Sequence, residues 1–397
     1  MKLLMITRTL AEFASIQGEL AEISKLGIDQ TVASPRRWAG RDSEIRRVKP
    51  DGFELLLTDC WFSGTTSVRL GNHFHFYSSI ADVIGREKWD LVHIDEEPFN
   101  LATYHALRAC RKFDVPALFT TWQNIDKRYP PPFNFFERYA FEHAAGAVPG
   151  SKECLDLLRG RGYRGPAAQV GHGLDPTTFR RQEASGLRQK LAPQGSFIVG
   201  YMGRIHKEKG LDTLVKSLAM IPKNGVLVLV GRGPHRAELE GMIRQLQLQD
   251  RVYWVPWVHS DEVVEYMNAF DVLTLPSRTR RNWKEQFGRV LIEAMSCETC
   301  VVGSDSGEIP NVIGDAGLVF HEGDENELAD SLRQLMSDPA RRESLGHRGR
   351  QRVLDYFTYA KVARDRADFY RQICSGVGGI NTLAGEHANK QLGHVLH

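Results

Sequence analysis

Along this chain, short β-rich runs alternate with longer stretches of helical periodicity, and the cycle occurs twice. The first cycle reads "KLLMI", a helical pattern over about 12–26, "DQTVAS", "ELLLTD", "WDLVHID", a helix near Leu101–Lys112, "VPALFTTW", and "AGAVPGS" followed by a short helix at about Lys152–Arg159. The second reads "FIVGYMG", a helix in "GLDTLVKSLAMI", "GVLVLVG", a helix in "HRAELEGMIRQLQL", "RVYWVPW", "DVLTLPS", a helix around "EQFGRVLIEAM", and "TCVVGS". Alternation of this kind winds into a parallel sheet with helices on both faces. At 397 residues the chain exceeds what one hydrophobic core usually serves. The expected fold is α/β, with two doubly wound, Rossmann-like domains whose strand carboxyl ends face a central cleft, where ligands of such sheets bind.

The polar segment Arg181–Ser196 contains Gly and Pro and lacks a clean apolar period, so it reads as the linker. Residues 1–185 are then an N-terminal domain and 190–357 a C-terminal one. A terminal helix over 358–376 is expected to pack back toward the N-terminal domain, and 377–397 to form a flexible tail.

Composition removes several function classes. With 42% apolar and 25% charged residues the chain is an ordinary globular sequence, so disorder throughout is excluded. A formal net charge of +2 gives no global reason to bind nucleic acid, and none is expected as a partner. Six cysteines are too sparse for a disulfide framework and fit a reducing cytosol. Cys297-Glu-Thr-Cys300 has redox or zinc spacing but no second pair, and packing is the preferred reading. No run approaches the roughly 18 apolar residues of a membrane span, and the amino terminus has no apolar stretch of signal-peptide length. A cytoplasmic protein is expected. Arg36, Arg37 and Arg41 with Trp38 leave peripheral association at the inner face of the membrane open.

The two glutamates of "EQFGRVLIEAM", Glu285 and Glu293, stand eight positions apart. On a helix that is roughly 12 Å of axis at about 1.5 Å per residue, too far for both to share one reacting atom. It also exceeds the about 5–9.5 Å of a glycosidase acid/base pair, unless the element bends at Gly288. Two grips on an extended, hydroxyl-bearing ligand suit the spacing, with backbone N–H groups at the helix start meeting an anion. Ordinary helix charge accounts for it equally well. "GRIHKEKG", Gly203–Gly210, follows a strand and offers Arg204 and Lys209 where a phosphate would enter, or is a basic solvated loop. "GRGP", Gly231–Pro234, is by itself a turn signal.

Taken together, "GRIHKEKG", "EQFGRVLIEAM" with its Glu-x7-Glu pattern, and "SDSGEIPNVIGDAGLVF" resemble the retaining glycosyltransferases of family 4, which use nucleotide sugars and have the two-domain GT-B fold. The resemblance covers essentially all of the second domain. The first matches in outline at "WDLVHID", "VPGSKE" and "VGHGLDPTTF". It implies that Arg204 and Lys209, after Gly203, hold the donor diphosphate, that Glu285 contacts the donor sugar, and that Glu293 holds the ribose hydroxyls. Backbone N–H groups of Phe287, Gly288, Arg289 and Val290 would lie near sugar and phosphate, and "YWVPWVHS" would read the base. Arg204, Lys209 and Glu285 are the implied catalytic set.

The donor is then a UDP- or GDP-sugar, and the acceptor a glycan, lipid or small molecule. There is no Asp-x-Asp motif, no cofactor is implied, and no metal requirement is predicted, since basic side chains take the metal's role. The family's Gly-Gly loop after the first strand is replaced by "ITRTLAEF", with Arg8 and Thr9. Where the family often has a histidine, "FTTWQNIDKRYPPPF" offers Gln123 and Asn124, as sugar contacts or as packed polar groups. His93 is a further cleft candidate or a satisfied core histidine. Glu96 and Glu97 face the acceptor or lie in a solvated loop. Arg278, Arg280, Arg281 and Lys284 in "SRTRRNWKEQ" either steer an anion or form a solvated charge run. A GT-B nucleotide-sugar epimerase and a silent nucleotide-sugar-binding protein are the alternatives.

Overall fold

The structure is a computed structural model that describes residues 1–12, 16–38, 48–63, 71–192 and 195–376. It divides into unit one, Met1–Gly171 with Tyr359 onward, and unit two, His172–Thr358. Arg41 and the expected tail over 377–397 lie outside the described residues.

Unit one carries β1 (Lys2–Thr7), β2 (Asp29–Pro35), β3 (Glu54–Thr58), a small antiparallel pair of β4 (Cys60–Trp61) and β5 (Phe76–Tyr77), then β6 (Leu91–Asp95), β7 (Ala117–Thr121) and β8 (Gly146–Pro149). Its six-stranded sheet has the order β3-β2-β1-β6-β7-β8, with every pairing parallel. Unit two repeats the plan with β9 (Phe197–Met202), β10 (Gly225–Val230), β11 (Val252–Val255), β12 (Val272–Leu275), β13 (Cys300–Ser304) and β14 (Leu318–Phe320), in the order β11-β10-β9-β12-β13-β14. Continuous apolar runs explain the parallel sheets: "GVLVLV" of β10 is buried at every position, as a strand covered by helices on both faces must be.

In each sheet the strand order reverses once, between β1 and β6 and between β9 and β12. A crevice opens beyond the strand carboxyl ends at such a point, so the residues following these four strands are where a ligand belongs.

The helix Tyr359–Cys374 belongs to unit one and packs on the helix Gln17–Lys25. Its Val362, Ala363, Ala367, Phe369 and Tyr370 share a core with Leu3, Ile23, Leu91 and Leu118. Arg366 on this helix makes a 2.7 Å ion pair with Glu19.

The segment read as a linker differs. Ser185–Leu191 is a helix of unit two, tied down by Arg188, which reaches Asp271 at 2.7 Å and donates to the Ala269 carbonyl. The chain enters unit two earlier, at His172, where Leu174 bridges Thr358 and Arg350 donates to the carbonyls of Pro176 and Phe179. These anchors are long-range, which is why local composition does not reveal them. Among the described residues no helix is long and apolar enough to cross a membrane. No disulfide joins the described cysteines, and burial pushes the thiols of Cys297 and Cys300 up to about 12, in keeping with packing.

Candidate functional site

In unit two the loop after β9 and the loop after β12 leave neighbouring strands at the reversal point. They bring Lys209 and Glu285 together: Lys209 Nζ donates to Glu285 Oε2 at 2.6 Å, and Ser277 Oγ donates to the same oxygen at 2.7 Å. The Lys209 ammonium also sits 4.7 Å from the centre of the Trp283 ring. With side chains only 12% and 11% exposed, the two charges form a largely desolvated pair, an arrangement that is weak evidence for stability and better evidence for a poised site.

The two glutamates do not share one helix. Gly288 takes the left-handed conformation, φ 83°, and caps a helix that runs only over Arg289–Ser296, so Glu285 lies in the preceding loop. Gly288 has no side chain to cap this helix start, and its first N–H groups have no partner within the helix. Those groups, from Arg289 and Val290 inward, and the helix dipole form a positive end suited to an anion. Phe287 is buried edge-on against His172 and Phe357. Glu293 lies on the helix with Arg289 Nε 3.1 Å from its Oε1; burial raises its carboxyl above the ordinary range against the opposing pull of Arg289.

The Glu285 backbone is held from a third loop. Glu308 N–H donates to the Glu285 carbonyl at 3.2 Å, and Gly307, at φ 63°, lies so near that a Cβ there would stand 2.0 Å from that oxygen. Ser277, Trp283, Gly307 and Glu308 join the candidate site without having been singled out as residues; the first two lie in "SRTRRNWKEQ" and the last two in "SDSGE", stretches that the sequence marks only as wholes.

Arg204 is exposed at the start of its loop. Gly203 N–H donates to Val230 O and Ile205 N–H to Arg232 O, both at 3.0 Å, which gives "GRGP" the job of bracing the β9 loop. Arg278 proves structural, since its guanidinium bonds Asp212 at 2.7 Å, whereas Arg280 and Arg281 are exposed.

In unit one the same reversal point holds Arg8 after β1 and Glu96 after β6, with Arg8 Nε 3.4 Å from Glu96 Oε2. Glu96 is buried rather than solvated: His75 Nε2 and Tyr77 OH meet its Oε1 at 3.0 and 2.9 Å, and Asn100 donates to Oε2 at 3.1 Å. Burial opposes its ionisation, yet His75, Arg8 and these hydrogen bonds outweigh that and hold the carboxyl at about 2. Glu97 accepts from the Thr121 hydroxyl at 2.7 Å and the Trp122 N–H at 2.8 Å, and burial pushes its carboxyl up to about 7.

His93 is a core residue, with Nδ1 2.6 Å from Tyr370 OH and Nε2 2.8 Å from Thr120 Oγ1. Burial lowers its pKa to about 3, so it is a neutral packing group, and the structure places it away from the crevice surface. The Gln123 amide is engaged by the Ile125 carbonyl and Tyr129 OH, and Asn124 Nδ2 lies 3.4 Å from Glu153 Oε2. Both are half-buried. Among the described residues no three His, Cys, Asp or Glu side chains gather as a metal-binding group.

Comparison with solved structures defines the class of fold. The chain superposes on sucrose-phosphate synthase from Thermosynechococcus elongatus with a TM-score of 0.73 at 21% identity, covering 95% of this chain and 100% of that one. Anabaena HepE in complex with UDP gives 0.73 at 20%, covering 94% and 100%. The fold is GT-B.

Residues 185–352, which lie within unit two, match the family described as Glycosyl transferases group 1. Alpha-maltose-1-phosphate synthase from Mycolicibacterium smegmatis is 32% identical over 222 residues, 51% of this chain and 56% of that protein. N-acetyl-alpha-D-glucosaminyl L-malate synthase from Bacillus anthracis is 28% identical over 306 residues, 75% and 78% of the two. The chain thus spans about half the length of the mycobacterial relatives it matches, 56% of one and 48% of another.

Proposed function

We propose that this protein is a retaining glycosyltransferase of family 4, which moves a sugar from a UDP- or GDP-sugar held by unit two to a glycan, lipid or small-molecule acceptor recognised by unit one. The Lys209–Glu285 pair ahead of the helix start at Arg289 is the observation that carries it: a cation, a carboxylate and the positive end of a helix lie together at the reversal point of a doubly wound sheet. The family match and the names of the relatives support the reaction class. HepE was crystallised with UDP and UDP-glucose, which supports a nucleotide-sugar donor.

In this reading the acceptor oxygen bonds to the anomeric carbon as the bond from that carbon to the donor's β-phosphate oxygen breaks. Negative charge grows on the leaving diphosphate, and Arg204, Lys209 and the helix-start N–H groups stabilise it. The acceptor approaches on the leaving-group face, and its proton passes to a phosphate oxygen, so configuration is retained. Glu285 accepts from donor-sugar hydroxyls and Glu293 from the ribose diol. Cations fill the role of a metal, so transfer should persist in a chelator. We place the enzyme in the cytoplasm; exposed Arg36 and Arg37 support peripheral contact with an anionic membrane face.

A thermal-stability panel of nucleoside diphosphates tests the donor site. A ligand at about 100 times its dissociation constant adds about 2.7 kcal/mol. One base should stabilise the protein, Glu293→Ala should abolish much of that gain, and Lys209→Ala should cost turnover by about 10²–10³-fold. If no nucleoside diphosphate shifts the midpoint, the donor assignment falls.

A further inference from the structure

Unit one departs from the family that the sequence resembles where "ITRTLAEF" puts an arginine directly after β1, and the structure shows a built environment around it. The Arg8 guanidinium lies over the Trp38 ring at 5.1 Å and beside Glu96 at 3.4 Å. Trp38 in turn stands edge-on to His75 at 4.9 Å, and His75 bonds Glu96. Arg8 is thus clamped between an aromatic face and a carboxylate that is itself fixed by His75, Tyr77 and Asn100, so its fork has a set direction at the strand reversal.

Exposure distinguishes the two charges of this pair. The Arg8 side chain is 26% exposed and the Glu96 side chain 0% exposed, so of the two it is the cation that reaches the surface at this end of the sheet. A carboxylate placed behind an arginine in this manner orients a guanidinium that reads an oxyanion in front.

We propose that Arg8 recognises a phosphate or carboxylate group on the acceptor. This rests on the reading of unit one as the acceptor-binding half. It narrows that reading from glycans, lipids and metabolites in general to acceptors that carry a planar or tetrahedral oxyanion within reach of their reactive hydroxyl.

The test titrates the full chain, saturated with its stabilising nucleoside diphosphate, with a hexose monophosphate, a 2-hydroxy dicarboxylate and a neutral disaccharide. At least one of the two anionic probes should bind, and which one does identifies the oxyanion. Arg8→Gln should weaken that probe at least tenfold and Arg8→Lys by less, while nucleoside diphosphate stabilisation stays at the wild-type value and shows that the variants are folded. Equal binding of the anionic probe to wild type and Arg8→Gln would overturn the proposal, as would binding of the neutral disaccharide alone or of no probe. If Arg8→Gln instead weakens the nucleoside diphosphate, Arg8 serves the donor and the acceptor assignment is wrong. Absence of any nucleoside diphosphate effect on wild type would count against the donor site of unit two, a separate failure.

Discussion

Lys209 and Glu285 were both legible as residues worth watching, but their 2.6 Å contact was not, because they are brought together from two loops across a sheet. Glu97 shows the converse: its sequence context says little, and its burial says much. The carboxyl stands at about 7 in the folded protein against 4.5 for an ordinary glutamate. A raised carboxyl pKa means that the folded state holds the proton more tightly than the unfolded chain does. The stabilising contribution is therefore complete below pH 4.5 and is lost as pH rises through about 7. Glu97→Gln mimics the protonated form and removes this dependence. Denaturant titrations of wild type and variant should agree near pH 4.5 and diverge upward, with Glu97→Gln the more stable by up to about 3 kcal/mol at pH 8. Parallel curves across that window would show that the Glu97 carboxyl is not perturbed as its surroundings require.

At the scale of elements, the alternation of strand and helix was readable because continuous apolar runs and helical spacing are local signals. Where elements stop was less so. "EQFGRVLIEAM" has helical character throughout, and only the left-handed backbone at Gly288 starts the helix at Arg289. The Gly307 turn is of the same kind, since its need for glycine comes from Glu285 O, a group distant in sequence. Gly307→Ala must relieve both a φ of 63° and a 2.0 Å backbone approach, so the loop that carries Glu285 has to move. We expect a loss of about 2 kcal/mol or more in stability and a weakened response to nucleoside diphosphate. Gly241 lies within the helix Arg236–Gln245 with no atom within 4 Å of where a Cβ would stand. Gly241→Ala should be neutral or stabilising by up to about 1 kcal/mol, with donor binding intact. Matching behaviour of the two variants would remove the special role of the Gly307 turn.

At the scale of the whole molecule, two domains followed from length and from the repeated cycle, while the path of the chain between them did not. Composition placed the linker at Arg181–Ser196, whereas long-range anchors such as Arg188 to Asp271 fold much of that segment into unit two. The terminal helix Tyr359–Cys374 completes unit one by bringing Arg366 to Glu19, an ion pair whose side chains are 8% and 9% exposed. Burial raises the Glu19 carboxyl even against the pull of Arg366, so desolvation is the larger force on that group. Arg366→Leu would strand a carboxylate among Leu20, Ile23 and the apolar face of the helix, and removal of one partner from a buried pair costs about 3–5 kcal/mol. Unit one should then unfold at lower denaturant, with early loss of the helix that closes it. Replacing both partners by leucine should recover most of that loss, because the main penalty is the unpaired charge. Stabilisation by nucleoside diphosphate should survive in both variants, since the proposed donor residues lie within His172–Thr358. A single variant as stable as wild type would mean that the pair does not hold the terminal helix, and apolar contacts through Val362, Phe369 and Tyr370 alone would then account for its return to unit one.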